Sequence, residues 1–307
     1  MFSDEEEACA ALCLLTQAAW DAAMPAPMTR LMVHRLKEDG VLQGCKLKKS
    51  AGANDLLLKR AEALLSRAED VRRMMDVYLE QGYTILTQHS AGWPLRLNGL
   101  PVSQRPQVLF AKGNLAFLAD RKVAVAGSRD ILSHTVSLAR RAGQMLASEG
   151  LTMVSGGARG VDTAAHKGAL ELGGRLILVP AKPVQQLMSC PELAKALDDG
   201  RLLFLCDALP DEHFSAQKAI ARNHTIYALA EAALVVAARD GIGGSWHGAI
   251  DCLRGGYTPL YVAEGSNDDM LGNAALCKLG ARRIDLLKPL GDQMLKSGQM
   301  SCLDMML

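Results

Sequence analysis

The sequence has almost no net charge and no long apolar run, and each absence excludes a class of protein. Its 307 residues carry 34 Lys and Arg against 33 Asp and Glu, which gives a formal net charge of +1. A protein that coats polyanions over its whole surface is therefore excluded, and any nucleic-acid site must be a local patch. No run of 18 or more apolar residues occurs, so no membrane-spanning segment is predicted.

Two further absences concern targeting and cofactors. Residues 1–7 are acidic (MFSDEEE), whereas a secretory signal begins with a basic region, so a cytoplasmic protein is predicted. None of the eight cysteines forms a C-x-x-C pair. The sequence therefore predicts no zinc site, no redox site and no tightly bound cofactor, with the thiols kept reduced in the cytosol.

The chain length and a composition of 49% hydrophobic residues predict two globular domains. Residues 1–80 have the apolar spacing of a small helical domain, and its clearest helix is expected to begin at Asn54-Asp55 and to continue to Tyr78. Residues 81–121 are interpreted as a connector with short extended pieces, and residues 291–307 as a C-terminal tail.

Residues 122–290 follow a different pattern, in which short apolar strands alternate with helices. Strands are predicted at 123–126, 151–154, 176–179, 202–205, 233–236 and 260–262. Helices are predicted at 133–149, capped by Ser133, and at 162–172. This alternation is typical of a parallel sheet covered on both faces, so the predicted fold class is α/β, a doubly wound parallel sheet with a small N-terminal helical domain.

Glycine-bearing loops follow the first two of these strands, and such loops gather at the carboxyl edge of a parallel sheet, where ligands bind. In Gly127-Ser128-Arg129, glycine admits a ligand close to the backbone and the arginine can fork onto a phosphate. The alternative is a plain turn with a solvated arginine. The second loop, residues 155–160 (SGGARG), runs into a predicted helix whose free N–H groups would form an anion site.

Two titratable residues follow the second loop, and the sequence leaves their roles open. Asp162 either complements the dipole of the helix or orders the loop. His166 lies four residues further on, on the same face of the helix, and is either a packed histidine or a catalytic one.

A third glycine-rich segment, residues 241–249, follows the predicted strand 233–236. Its Trp246 either stacks on a base or is buried against the sheet. The run Arg222-Asn223-His224 precedes that strand and either contributes to a ligand site or forms a solvated helix face. Arg129 and Arg222 are both expected on loops that converge at the carboxyl edge of the sheet.

Several enzyme classes lack their motifs here. The sequence contains no G-x-x-x-x-G-K-[ST], no H-E-x-x-H and no G-x-S-x-G, so it predicts no P-loop ATPase, zincin or α/β-hydrolase. No G-x-G-x-x-G follows the first strand, and the second strand ends in Ser155 where a ribose-binding acid would stand. NAD binding is therefore disfavoured.

Taken in order, the segments of residues 80–285 resemble the DprA/Smf family of DNA-processing proteins. The resemblance is carried by residues 106–114 (PQVLFAKGN), 123–129 (VAVAGSR), 154–170 (VSGGARGVDTAAHKGAL), 222–223 (RN), 243–246 (GGSW), 272–276 (GNAAL) and 279–281 (LGA). It implies an extended Rossmann-like fold of the SLOG type. It further implies binding and protection of single-stranded DNA, handover to a RecA-type recombinase in DNA uptake and recombination, and a homodimer.

The resemblance also implies which residues bind the DNA phosphates. By motif position these are Gly127, Ser128, Arg129, Ser155, Gly156, Gly157, Arg222 and Asn223. Arg159, Gly244, Ser245 and Trp246 are predicted to belong to the same nucleic-acid site, with Asp162, His166 and His224 in supporting positions. His224 stands where the family has a second arginine, and the Gly-Gly-Ser-Trp segment replaces a serine-rich loop, a form associated with a divergent branch. The sequence predicts no C-terminal winged helix of the kind that some members have. With these departures, a specialised role such as phage defence is an alternative to recombinase loading.

An enzyme is the competing interpretation. Lonely-guy phosphoribohydrolases share this kind of fold and carry a catalytic glutamate shortly after a glycine-rich loop. Here no acid follows Gly243-Gly244-Ser245 until Asp251, which favours a protein that is not an enzyme. A sensor that binds a small nucleotide without turnover is the third alternative.

Overall fold

The computed structural model describes residues 4–16, 26–48, 55–265 and 267–294. The chain divides into two compact units. The first, which we call the N-terminal unit, comprises Met1–Trp93 and Pro101–Ala111, and the second, the sheet unit, comprises Pro94–Leu100 and Lys112–Leu307. The domain boundaries predicted at residues 80, 121 and 290 stay predictions.

The N-terminal unit is mainly helical. Its elements are α1 Asp4–Leu15, α2 Arg30–Glu38, the short antiparallel pair β1 Leu42–Gln43 and β2 Lys46–Leu47, α3 Asp55–Leu65, α4 Ala68–Glu80 and β3 Thr84–Thr87, which pairs antiparallel with β4 Val108–Gly113. Apolar faces of these helices form the unit's core, as the helical spacing of the sequence predicts.

The single helix predicted to run from Asn54 to Tyr78 is wrong, because the structure has two helices, α3 and α4, in this stretch; Asn54 itself lies outside the described residues. The break falls at Arg67, the residue before α4. Its buried guanidinium donates hydrogen bonds of 2.5 Å to the carbonyl oxygens of Cys13 and Thr16 at the end of α1. Those contacts use carbonyls that a helix end leaves without partners.

The sheet unit alternates strands and helices along the chain. Its elements are β5 Lys122–Ala126, α5 Ser133–Ser148, β6 Thr152–Ser155, α6 Val161–Glu171, β7 Leu176–Leu178, α7 Val184–Met188, α8 Pro191–Asp198, β8 Leu202–Cys206, α9 Ala216–Leu229, β9 Ala232–Val235, α10 Gly243–Gly255, β10 Leu260–Ala263, α11 Leu271–Lys278, β11 Arg282–Ile284 and α12 Leu290–Met294. Short 3-10 helices span Leu95–Gly99, Leu115–Ala119 and Asp268–Met270.

Strands β5 to β11 of this unit are parallel and lie in the order β11-β10-β9-β5-β6-β7-β8. From β5 the chain builds outward through β6, β7 and β8, and it then returns to place β9 on the other side of β5. The predicted doubly wound parallel sheet is therefore confirmed, with its topological switch point between β5 and β9. In such sheets the crevice outside the carboxyl ends at the switch point is where ligands bind.

All six predicted strands match the observed ones within one residue at each end, because central strands of a parallel sheet are continuous apolar runs. The predicted cap of α5 is wrong: Ser133 is the first helical residue, and the N-cap is Leu132, which makes no side-chain cap. The Leu132 N–H instead donates to the buried Asp269 carboxylate at 2.9 Å. Among the helices that the structure describes, none combines the length and the hydropathy that a membrane span requires.

Candidate functional site

A cleft of about 560 Å³ lies outside the carboxyl ends of β5 and β9, at the switch point of the sheet. Its lining comes from the loop after β5, the loop after β6 and the start of α6, the N-terminal approach and one face of α9, and the segment that runs from β9 into α10. The cleft brings together nine of the residues that the sequence predicts for the site, namely Gly127, Ser128, Arg129, Gly156, Asp162, Arg222, Asn223, Gly244 and Ser245.

The first loop is fixed by backbone hydrogen bonds on both sides. The Ser128 N–H donates to the carbonyl oxygen of Ala237 at 2.9 Å, and the Ser128 carbonyl accepts from the Val161 N–H at 3.2 Å. These bonds hold the loop between the end of β9 and the beginning of α6. Arg129 is exposed beside it, and its guanidinium carbon lies 5.4 Å from the ring centroid of Phe214.

Gly160 is the residue that lets α6 begin against this loop. Its φ of +83° lies in the left-handed region that favours glycine. A Cβ at this position would lie 2.3 Å from the Ser128 carbonyl oxygen and 2.5 Å from that of Arg129. Any larger residue would therefore separate the two loops that line the cleft.

Asp162 orders the second loop, which decides between the two roles that the sequence left open. One of its carboxylate oxygens accepts hydrogen bonds from the Gly156 N–H at 3.2 Å and the Ala158 N–H at 3.1 Å. Those two N–H groups are consequently not free to bind an anion. The prediction that the N–H groups of this loop form an anion site is therefore wrong for Gly156 and Ala158. Burial raises the pKa of Asp162 from its ordinary 3.8 to about 6, against the opposing effects of the Arg222 charge and the two N–H donors.

His166 is a packed histidine. Its Nε2 lies 2.5 Å from the Ser155 Oγ, and both residues are buried outside the cleft lining. Burial lowers the pKa of His166 to about 3, so the ring is neutral at physiological pH. The pair joins β6 to α6 beneath the glycine loop, and neither side chain reaches the cleft.

Arg222 was predicted on a loop, and that is wrong: it lies within α9 and is buried. One terminal nitrogen donates to the carbonyl oxygen of Val179 at 2.9 Å, whereas the Nε is buried and makes no hydrogen bond. Burial lowers the pKa of the guanidinium, and the nearby carboxylates of Asp162 and Asp207 oppose that shift. A charged group thus lies at the wall of the cleft, with its Nε buried and unpaired.

The Gly-Gly-Ser-Trp segment was interpreted as a loop, but it forms the first turn of α10. The side-chain amide of Asn223 donates to the Gly244 carbonyl oxygen at 3.2 Å, which ties α9 to this turn. Because the turn is helical, Ser245 and His247 line the cleft while the half-buried Trp246 does not.

The other predicted residues lie outside the cleft lining: Ser155, Gly157, Arg159, Trp246, His166 and His224. Arg159 forms a 2.8 Å ion pair with Asp130 of the first loop. The His224 Nε2 lies 3.5 Å from a carboxylate oxygen of Asp251, and its ring contacts Tyr257 edge to face. His224, which replaces the family's second arginine, is therefore engaged between α9 and α10.

Several residues that line the cleft were not predicted from the sequence: Phe214, Ala216, Ala219, Ile220, Ile226, Tyr227, Arg239 and His247. Most of them lie on α9. Ser215 caps this helix, since its Oγ accepts from the Lys218 N–H at 3.1 Å. A serine cap followed by small and apolar residues at spacings of three and four is the signal that would have predicted this helix face.

The Gly-Asn-Ala motif at residues 272–274 has a structural role. The Asn273 amide donates to the carbonyl oxygens of Val236 and Ala263 at 2.9 and 3.0 Å, and its oxygen accepts from the Ala238 N–H at 3.0 Å. One side chain thus joins the ends of β9 and β10 and fixes the segment that leads to α10. Within the described residues no group of three or more potential metal ligands is found.

The doubly wound sheet, with an arginine-bearing cleft at its switch point, defines a Rossmann-like α/β protein. A sequence profile of the family described as DNA recombination-mediator protein A matches residues 84–293. The chain belongs to this family, so the resemblance inferred from the motifs is confirmed.

Three curated relatives are similar over part of their length. DNA processing protein DprA of Streptococcus pneumoniae is 36% identical over 137 residues, which cover 44% of this chain and 48% of the relative. The Bacillus subtilis DprA is 28% identical over 175 residues, which cover 55% of this chain and 57% of the relative. Escherichia coli protein Smf is 34% identical over 125 residues, which cover 40% of this chain and 33% of the relative. The chain therefore spans about half the length of the first two relatives and less of the third.

Two solved structures have the same fold. The X-ray structure of DprA from Streptococcus pneumoniae matches with a TM-score of 0.70 and 22% identity, covering 96% of this chain and 98% of that one. DprA from Helicobacter pylori, whose structure concerns its single-stranded DNA binding mode, matches with a TM-score of 0.55 and 23% identity over 66% of this chain and 90% of that one.

Proposed function

We propose that this chain binds single-stranded DNA in the cleft at the switch point, with phosphates held by Arg129 and Arg222. The observation that carries the proposal is that two arginines line this cleft, the exposed Arg129 and the buried Arg222, whose Nε has no hydrogen-bond partner. A buried charged donor without a partner is costly, and a phosphate oxygen is the acceptor that fits a guanidinium best. The family's DNA-processing members, including one with a described single-stranded DNA binding mode, support this ligand.

The charge of the chain favours a few placed contacts over a broad electrostatic field. The net charge is +1, and Arg129, Arg222 and Arg239 supply the arginine cations of the lining. Two carboxylates, Asp130 and Asp162, line the same cleft. Affinity must then come from charge-assisted hydrogen bonds at defined positions, and it will depend only moderately on salt.

The biological role that we propose follows the family. Protection of single-stranded DNA, handover to a RecA-type recombinase and assembly as a homodimer fit a recombination mediator in the cytoplasm, in DNA uptake, in recombination or in phage defence. Light scattering tests the assembly: a dimer has twice the 32.9 kDa chain mass, whereas a monomer at micromolar concentration contradicts it. Stimulation of recombinase filament formation on coated DNA tests the handover.

We propose further that the cleft binds without catalysis. A phosphoribohydrolase needs a free carboxylate there, but Asp162 accepts two backbone N–H groups and Asp130 pairs with Arg159. Asp251, the first acid after the glycine segment, lies against His224 outside the cleft lining. Incubation with nucleoside monophosphates should release no base, and release of free base would establish the enzyme instead.

Titration of single-stranded oligonucleotides against wild type and three arginine variants tests the binding site. Arg129→Ala and Arg222→Gln should each weaken binding by about 1–3 kcal/mol, the range for a lost charge-assisted hydrogen bond. Each should also reduce the salt slope of log K by about 0.7, the single-strand value per phosphate contact. Arg129 is exposed, so its variant tests the site without disturbing the core.

Arg283→Ala is the matched control, because this arginine is exposed on β11 outside the cleft lining. Its affinity and salt slope should equal those of the wild type. Cleft variants that bind like the wild type contradict the site. If no form binds single strands but the wild type binds mononucleotides, the chain is a nucleotide sensor instead.

A further inference from the structure

Phe214 stands at the rim of the cleft, and we propose that its ring is the stacking platform for a nucleobase of the bound strand. The inference rests on the proposed function and adds a base site to the phosphate site. The Phe214 side chain is 50% exposed and lines the cleft. It is the only aromatic residue among the exposed large apolar side chains of the described residues.

The rim around Phe214 is apolar, although the wall of the cleft is charged. Ile220 and Ile242 also line the cleft and are 40% and 65% exposed. Apolar side chains left exposed together at a concave surface mark a binding site. A nucleotide has the complementary chemistry, since it joins a flat apolar base to an anionic phosphate.

The local structure holds Phe214 next to the phosphate-binding arginines. It directly precedes Ser215, the cap that fixes the start of α9, and the same helix carries Arg222. Arg222 follows Ser215 by seven positions, about 10 Å along a helix. Arg129 approaches the ring from the other loop, with 5.4 Å between its guanidinium carbon and the ring centroid. A phosphate bound at Arg129 therefore brings the base of its nucleotide to the ring.

A second role for Phe214 has to be separated from stacking. Its contact with Arg129 has the geometry of a cation–π interaction, so the ring also holds the guanidinium in place. If positioning Arg129 were its whole role, loss of the ring would weaken every phosphate-containing ligand equally. Stacking, in contrast, requires the base. A strand of abasic sugar-phosphates has the same charge but no bases, so it distinguishes the two roles.

The experiment compares the full chain with Phe214→Ala, Phe214→Trp and Leu172→Ala on two ligands, a short thymidine oligonucleotide and its abasic counterpart of the same length. Leu172 is a matched control because it is 54% exposed and ends α6, at the edge of the sheet opposite the cleft. We expect Phe214→Ala to bind the thymidine strand about tenfold more weakly, as expected for losing one base–aromatic stack. Its binding of the abasic strand should stay within about twofold of wild type.

Phe214→Trp supplies a direct readout. It should restore the affinity for thymidine, and the added tryptophan fluorescence, measured as the difference from wild type, should be quenched by the thymidine strand but not by the abasic one. Leu172→Ala should match the wild type on both ligands.

Three outcomes overturn the inference. Equal losses on both strands would show that Phe214 only positions Arg129. Unchanged thymidine binding by Phe214→Ala would show that no base stacks there, while the proposed function stands. A wild-type chain that binds neither strand contradicts the proposed function, and the base site with it.

Discussion

The guanidinium of Arg222 occupies the space that a side chain on residue 156 would fill. A Cβ built on Gly156 would lie 1.5 Å from one terminal nitrogen of Arg222 and 2.2 Å from its guanidinium carbon. The second glycine loop is thus shaped by an arginine from α9, a helix that follows it by some sixty residues in the sequence. The glycine serves the placement of a charge more than the direct approach of a ligand.

The first prediction follows from this relationship. Gly156→Ala should displace the Arg222 guanidinium, because the new Cβ would lie 1.5 Å from one of its terminal nitrogens. We expect a loss of about 1–3 kcal/mol in the free energy of unfolding, the usual cost of overpacking, and a loss of single-stranded DNA binding at least as large as in Arg222→Gln. Urea denaturation and oligonucleotide titration measure the two effects.

Gly244→Ala is the matched control for that substitution. Gly244 lines the same cleft, its φ is not positive, and no heavy atom lies within 4 Å of a Cβ built there. Its stability should change by less than about 0.5 kcal/mol, as is usual for surface substitutions. Equal destabilisation by both alanines would contradict the crowding argument.

The second prediction concerns the pH dependence of binding. The pKa of Asp162 is about 6, so acidification through pH 6 neutralises a carboxylate beside Arg222 and makes the cleft more positive. DNA phosphates stay ionised in this range, and the affinity for single-stranded DNA should therefore rise as the pH falls from 7 to 5. We expect a gain of about 1 kcal/mol, the order of a charge interaction at a partly solvated site.

Asp162→Asn isolates this contribution. The amide oxygen can still accept from the Gly156 and Ala158 N–H groups, so the loop keeps its shape. The variant should bind at pH 7 as tightly as the wild type binds at pH 5, and it should lose that part of the pH dependence. A pH profile identical to that of the wild type would assign the effect to other groups.

The third prediction separates the structural motif from the binding site. Asn273→Ala removes three hydrogen bonds to buried backbone groups and leaves those groups without partners. The cost should be about 2–4 kcal/mol of the free energy of unfolding, since each unsatisfied buried group costs about 1–3 kcal/mol and the losses are not additive. Under conditions where the variant is folded, the salt slope of DNA binding should equal that of wild type, because no phosphate contact is lost. A reduced slope would place Asn273 in the DNA site.

The sequence predicted the sheet well and the cleft only in part, for a physical reason. Buried parallel strands such as Ala232–Val235 are continuous apolar runs, which a local pattern reveals. Arg222 was misplaced because a polar Arg-Asn-His run looks like a loop, and only tertiary burial shows that the helix continues through it. Phe214 was missed because its proximity to Arg129 joins residues 85 positions apart, and no local spacing encodes such a contact.

The last prediction concerns acid stability, where His166 and Asp162 act in opposite directions. Burial lowers the pKa of His166 from its ordinary 6.5 to about 3 in the folded protein, so below pH 6.5 the unfolded chain binds a proton that the folded chain does not. This histidine therefore stabilises the fold fully above pH 6.5, and the stabilisation is lost as the pH falls towards 3. Asp162 has a raised folded pKa of about 6, so its contribution is full below 3.8 and is lost as the pH rises to 6.

Between pH 4 and 6 the two contributions partly cancel, and single variants should reveal them. His166→Gln keeps a neutral hydrogen-bonding group beside Ser155 and removes the titration. Between pH 7 and pH 5 the free energy of unfolding should fall less in this variant than in the wild type, by up to about 2 kcal/mol. This follows from the limiting slope of about 1.4 kcal/mol per pH unit for one proton. Asp162→Asn should lose more stability than the wild type over the same pH range, because it removes a carboxyl whose protonation stabilises the fold at acid pH. Urea denaturation at the two pH values measures both, and shifts of the same sign in the two variants would show that these buried groups do not control the acid stability of the fold.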